Sequence, residues 1–134
     1  MSKLLHCIVV TPETTALEQD AEFVALPLYD GEIGIAPSHS PMIGRLGYGE
    51  MRIRSAGGAT ATYYLDGGFV QVADNVVSVL TSRAVPAARL NEVAANDQLD
   101  AATKRPANTP ELEELREKAI AQARAQIRIA RRAR

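Results

Sequence analysis

Glycine stops halfway along this chain. All nine glycines fall between Gly31 and Gly68, and from Ala84 onward fourteen of the last 51 residues are alanine. Glycine-punctuated runs of β-branched residues suit short strands joined by tight turns, whereas an alanine-, arginine- and glutamate-rich tract suits helices. The 134 residues therefore divide into two structural halves. The boundary is placed near Ala84–Pro86, giving a β domain over 1–84 and a helical domain over 85–134. Charge breaks at the same place, with nine acids against five bases up to residue 84 and seven acids against ten bases beyond it.

The first half offers nine strand candidates: 3–10, 14–18, 22–28, 32–36, 42–46, 49–55, 60–65, 69–73 and 76–80. The connections carry turn chemistry at Tyr29-Asp30-Gly31, Ala56-Gly57-Gly58-Ala59, Asp66-Gly67-Gly68 and Asp74-Asn75. Many short strands at close spacing indicate a sandwich or barrel of antiparallel strands rather than βαβ units. With six aromatics and no tryptophan, the core must be built mainly from Val, Ile, Leu and Ala. That composition suits two small sheets packed face to face.

The second half predicts two helices. Ala87–Arg105 forms the first, with Leu90, Val93, Ala94 and Ala101 at helical spacing. Pro106 and Pro110 break the pattern, and the second helix starts with Thr109 as N-cap and Pro110 at its first position. Its inward stripe is Leu112, Leu115, Ala119, Ala123, Ile127 and Ala130. Alanine lets two helices approach closely but removes little area from water, so the hairpin is expected to be weakly held and detachable. Glutamates crowd the start of the second helix, while Arg124, Arg128, Arg131, Arg132 and Arg134 crowd its end. Two explanations stand: charges complementing the helix dipole, or a cationic end that meets an acidic surface.

Residues 30–41, Asp-Gly-Glu-Ile-Gly-Ile-Ala-Pro-Ser-His-Ser-Pro, form the densest cluster of conformational punctuation. Pro37 and Pro41 fix φ and bias Ala36 and Ser40 toward extended geometry. A stiff, exposed loop is expected, with Glu32 at one end and His39 at the other, shaped to touch a partner. His39 is either a contact residue or a locally hydrogen-bonded turn residue.

Several function classes are disfavoured. Cys7 has no partner for a disulfide and sits in an apolar run, as an ordinary buried thiol would. No apolar stretch approaches the ~20 residues of a membrane helix, and the N-terminus lacks a signal-peptide layout. Neither His6 nor His39 has a cysteine or carboxylate at ligand spacing, so no metal site is expected. Phosphate-binding loops and nucleophile elbows are missing, so no catalytic residue and no cofactor are proposed. Nucleic-acid binding through the terminal arginines is the alternative class. Glutamates on the same helix and a lack of interleaved aromatics count against it.

Gly31-Glu32-Ile33-Gly34-Ile35-Ala36-Pro37-Ser38-His39-Ser40-Pro41 closely resembles the signature G-E-x-G-I/V-x-P-G-H-A/S-P of the epsilon subunit of F-type ATP synthases. Gly49-Glu50-Met51-Arg52-Ile53, Gly67-Gly68-Phe69-Val70-Gln71-Val72 and Asn75-Val76-Val77-Ser78-Val79-Leu80 resemble later segments of that family in the same order. The resemblance spans 1–84 almost without gaps. It implies a ten-stranded antiparallel β-sandwich followed by an antiparallel α-helical hairpin. It also implies a non-catalytic central-stalk subunit bound to the gamma subunit and seated on the membrane c-ring. Such a subunit would be peripheral at the cytoplasmic face of the bacterial inner membrane, meeting the membrane only indirectly. The family's c-ring contacts fall on Glu32 and His39. Its inhibitory hairpin, which can reach the acidic surface of the catalytic β subunits, places the matching cations at Arg124, Arg128, Arg131 and Arg132. Some members bind ATP through I/L-D-x-x-R-A. Here Leu90 is followed by Asn91 in place of aspartate, and Ala94 replaces the arginine, so weak or no ATP binding is expected. Ser38 stands where the signature carries glycine, which leaves the backbone angle there open.

Overall fold

The computed structural model describes residues 3–133; Met1, Ser2 and Arg134, the last of the terminal arginines, lie outside them. Eight strands come first: β1 (Leu5–Val10), β2 (Thr15–Ala21), β3 (Phe23–Leu28), β4 (Gly31–Ile35), β5 (Met42–Arg54), β6 (Thr60–Ala73), β7 (Val76–Leu80) and β8 (Ala84–Pro86). A 3-10 turn (Ala87–Arg89) and two helices, α1 (Glu92–Thr103) and α2 (Pro110–Arg132), follow. The chain divides into two compact units, one ending at Pro86 and the other starting at Ala87.

The strand order is β2-β1-β7-β6-β5-β3-β4, with β8 paired to β6. Eight strands stand where ten are implied by the resemblance. The glycines at 47–49 and 67–68, which look like strand ends in the sequence, sit instead inside two long strands. Leu46 pairs with Gly68 and Tyr48 with Asp66, so the β5–β6 ladder runs through the region on both sides of the Gly47 and Gly67 positions. What changes at this point is the outer neighbour. The later half of β6 pairs β7 through Phe69–Ala73, whereas the earlier half pairs β8 through Tyr63–Leu65. One long β5–β6 ladder thus carries β7 beside one half of β6 and β8 beside the other. Gly67 and Gly68 have φ of 76° and 109°, and a Cβ at Gly68 would lie 1.9 Å from the Leu80 carbonyl oxygen. Glycine is required there for close approach rather than for a turn.

A second departure is that β1 and β7 run parallel, with Cys7 opposite Val77 and Val9 opposite Val79; all other pairings are antiparallel. Parallel neighbours need a long crossover, and the chain from β2 to β6 supplies one. Alternation along β1 sends Leu5, Cys7 and Val9 inward to a core shared with Val24, Leu26, Ile35, Met51, Ile53, Leu65, Val70, Val72, Val77 and Val79. Cys7 is fully buried, and burial pushes its thiol pKa up to about 12.

The helical unit is shorter at its start than expected. Asn91 interrupts the first helix because its side-chain oxygen accepts from the Ala94 N–H at 3.1 Å, capping α1. The residues before it form only the 3-10 turn, and α1 is re-phased. Ala95 and Ala102 are buried in place of Val93, Ala94 and Ala101. In α2, Thr109 caps by accepting from the Leu112 N–H at 3.2 Å with Pro110 behind it. Ala123, Ile127 and Ala130 are buried as the stripe requires, but Leu115 remains 53% exposed.

Candidate functional site

The loop that links β4 to β5 is set by three residues from different parts of the chain. Ser38 adopts φ 68°, the left-handed region that glycine occupies without cost. Its N–H donates to the Asn75 side-chain oxygen at 2.6 Å. Asn75 itself lies in the two-residue turn between β6 and β7, where Asp74 and Asn75 have φ of 50° and 62°. These angles match the primed hairpin turn that suits the right-handed strand twist. The Asn75 carbonyl accepts the His6 N–H at 2.8 Å, tying the turn to β1.

His39 and Glu32 are each engaged, but by different partners. His39 Nδ1 lies 2.7 Å from the Ser40 carbonyl oxygen. A carbonyl only accepts, so Nδ1 carries the proton. His39 is thus locally hydrogen-bonded through Nδ1. Glu32, on β4, accepts from Arg52 Nη2 at 2.8 Å, and Arg52 Nη1 donates to Glu50 at 2.7 Å. Hydrogen bonds to Glu32 first and Glu50 second hold the guanidinium even more firmly protonated. Glu32 and Glu50 thus hold the Arg52 guanidinium from two strands, β4 and β5.

Pairing places two carboxylates beside His6 that sequence spacing did not reveal. His6 is opposite Asp20 and Ile8 opposite Glu18. The ring therefore meets Glu18 through Nε2 at 2.6 Å and Asp20 through Nδ1 at 3.1 Å. Bonds to Asp20 and then Glu18 raise the His6 pKa. The signal in the sequence is alternation, with Glu18 and Asp20 on one face of a strand that hairpins onto β1. Among the described residues, no group of three or more His, Cys, Asp or Glu side chains is arranged to hold a metal.

An outward apolar row was also missed. Ile43, Phe69 and Leu80 are 77%, 58% and 55% exposed. Phe69 faces Arg45 on one side and Leu80 on the other, while Ile43 faces Gln71. Clustered exposed apolar side chains mark an interaction surface. Apolar residues at both parities of Phe69–Val72 and Val76–Leu80 are the trace of this row in the sequence.

Of the helical cations, Arg124 and Arg128 are exposed. Arg131 donates from Nε to Glu92 at 2.8 Å, joining the last turn of α2 to the first turn of α1. Arg132 is exposed at the same end. At the ATP-motif position, Asn91 is occupied in capping and Ala94 is exposed. Among the described residues, no helix is long and apolar enough to cross a membrane.

Comparison with known proteins agrees with the sandwich domain. The beta-sandwich domain of the ATP synthase delta/epsilon chain matches residues 4–87. An ATP synthase epsilon chain from Rhodopirellula baltica is 46% identical over 127 residues, covering 95% of this chain and 98% of that one. One from Nitratidesulfovibrio vulgaris is 40% identical over 84 residues, 63% of this chain and 62% of that one. In fold, the chain is similar to one in the Euglena gracilis mitochondrial ATP synthase OSCP/F1/c-ring assembly. That match has a TM-score of 0.82 at 20% identity and covers 91% of this chain and 78% of the other. Nothing among these relatives favours the nucleic-acid alternative. With a match to the sandwich domain and near end-to-end similarity to a named relative, the chain belongs to the epsilon-chain family of ATP synthases.

Proposed function

We propose that the chain is a non-catalytic subunit of the central stalk of a proton-translocating ATP synthase, with its sandwich gripping the rotor. The observation that carries this reading is the exposed row of Ile43, Phe69 and Leu80 on three adjacent strands of a continuous ladder. Phe69 and Leu80 stand opposite each other with Ile43 diagonal to Phe69, a compact apolar patch of the kind that marks an interaction surface. The gamma subunit is its proposed occupant. The loop at 36–41, with His39, and Glu32 on β4 face the c-ring in this proposal. The subunit is peripheral, at the cytoplasmic face of the bacterial inner membrane.

The helical hairpin is the regulatory part. Its opening releases Arg131 from Glu92, and Arg124, Arg128, Arg131 and Arg132 then become contacts for the acidic surface of the α/β catalytic head. At 23 residues, α2 spans ~35 Å when straight. Inhibition of ATP hydrolysis by such an exposed contact weakens as salt rises. The hairpin binds ATP weakly or not at all, and a calorimetric titration showing micromolar affinity contradicts that statement.

The experiment is reconstitution with the gamma subunit. Phe69→Asp places a charge in the row at an exposed position that costs little stability. Loss of gamma binding by a folded F69D variant is the expected result. Wild-type binding by that variant removes the row from the interface.

A further inference from the structure

We infer that Asn75 is a positioning residue for the loop that carries His39, and this inference rests on the proposal that the loop docks on the c-ring. Three segments distant in sequence meet at this one side chain and its backbone. The side-chain oxygen accepts the Ser38 N–H at 2.6 Å, the carbonyl accepts the His6 N–H at 2.8 Å, and φ of 62° closes the β6–β7 turn. Ser38 is the one non-glycine residue outside that turn with a positive φ among the described residues. A serine is held in that region only when its surroundings over-determine it. The bond from Asn75 supplies that restraint at the residue directly before His39.

The restraint also sets what the loop presents. Pro37 and Pro41 stiffen its ends, but neither controls the peptide between Ser38 and His39. Without the acceptor at Asn75, Ser38 relaxes toward negative φ and His39 is redirected. The share of chains with a docking-competent loop then falls, and apparent affinity falls by the same factor. Asparagine suits the role because it tolerates a left-handed φ and offers an acceptor on a short arm.

Two variants of the full chain separate this role from a merely structural one. Asn75→Gly keeps the turn, since an Asp-Gly pair is favoured there, but removes the acceptor. Asn75→Asp keeps an acceptor of the same shape. The readouts are amide hydrogen exchange at Ser38 and affinity for rotor complexes depleted of this subunit, with His39→Ala as control. In N75G, Ser38 exchange is expected to rise and affinity to fall, each by about threefold to tenfold, as for loss of one hydrogen bond. N75D is expected to stay within about twofold of wild type on both, because its acceptor is retained. Unchanged exchange and affinity in N75G, with H39A weakened, overturns the inference while leaving the docking proposal intact. Faster exchange in N75G with affinity unchanged in both N75G and H39A instead removes the docking proposal, and the positioning role in docking with it.

Discussion

Gly68→Ala tests the β5–β6 ladder that carries the proposed rotor contact. The added Cβ would lie 1.9 Å from the Leu80 carbonyl oxygen and 2.9 Å from both the Leu80 carbonyl carbon and Thr81 Cα. A carbon–oxygen contact settles near ~3.3 Å, so the end of β7 would have to retreat by about 1.4 Å. All three obstructing atoms are backbone, and no rotamer change relieves them. Overpacking of this kind costs ~1–3 kcal/mol. The φ of 109° at Gly68 adds ~1–3 kcal/mol for any residue with a side chain. The sum centres on about 4 kcal/mol, a large part of the ~5–15 kcal/mol that holds a domain together. Urea unfolding followed by circular dichroism reads the loss directly, and the thermal midpoint should fall by about 20 °C on the scale of small domains. Gly57→Ala is the control, because a Cβ there meets nothing within 4 Å. If G68A unfolds within about 1 kcal/mol of G57A, the close approach of β6 to β7 is wrong.

Ser38→Gly should stabilise the chain by a few tenths to about 1 kcal/mol, because relief of a left-handed φ exceeds the entropy glycine adds to the unfolded state; a loss in the urea midpoint contradicts this. His6 should make stability pH-dependent, since its folded pKa is raised by Asp20 and Glu18. A raised pKa means the contribution is complete below the ordinary histidine value of ~6.5 and is lost as pH rises through the folded value. His6→Ala should therefore flatten the fall of the urea midpoint as pH rises above ~6.5, and an unchanged slope refutes the role of the pair. Glu92→Gln frees Arg131 and weakens an exposed contact worth ~0.5 kcal/mol. ATP hydrolysis by a reconstituted complex should then be inhibited about twofold more strongly, and equal inhibition removes the Arg131–Glu92 pair from the gating of the hairpin.

What was legible in the sequence was whatever local chemistry decides. The Thr109-Pro110 helix start, the Asp74-Asn75 turn and the burial of Cys7 in its apolar run all depend on neighbours a few residues away. Asp66-Gly67-Gly68 misled because the same dipeptide serves a turn or a close approach, and only the distant Leu80 carbonyl distinguishes them. The parallel placement of β1 beside β7 has no local signal either. At the candidate site, Glu32 and His39 were visible as residues, but their partners Arg52 and Ser40 follow from register and loop geometry. Asn75 was visible only as a turn residue, because its bond to Ser38 spans 37 positions. The first helix starts later than its apolar spacing indicates because the Asn91 side chain competes with the backbone as a cap.

The central claim is that the chain is a stalk subunit. Its most direct test is to place an affinity tag on the intact chain, solubilise membranes in mild detergent and identify what is retained with it. The gamma subunit, the c-ring and ATP-hydrolysing activity should elute together with the tagged chain. They should be lost in F69D while the variant remains folded. A tagged wild-type chain that elutes from such membranes without gamma and without ATPase activity contradicts the account.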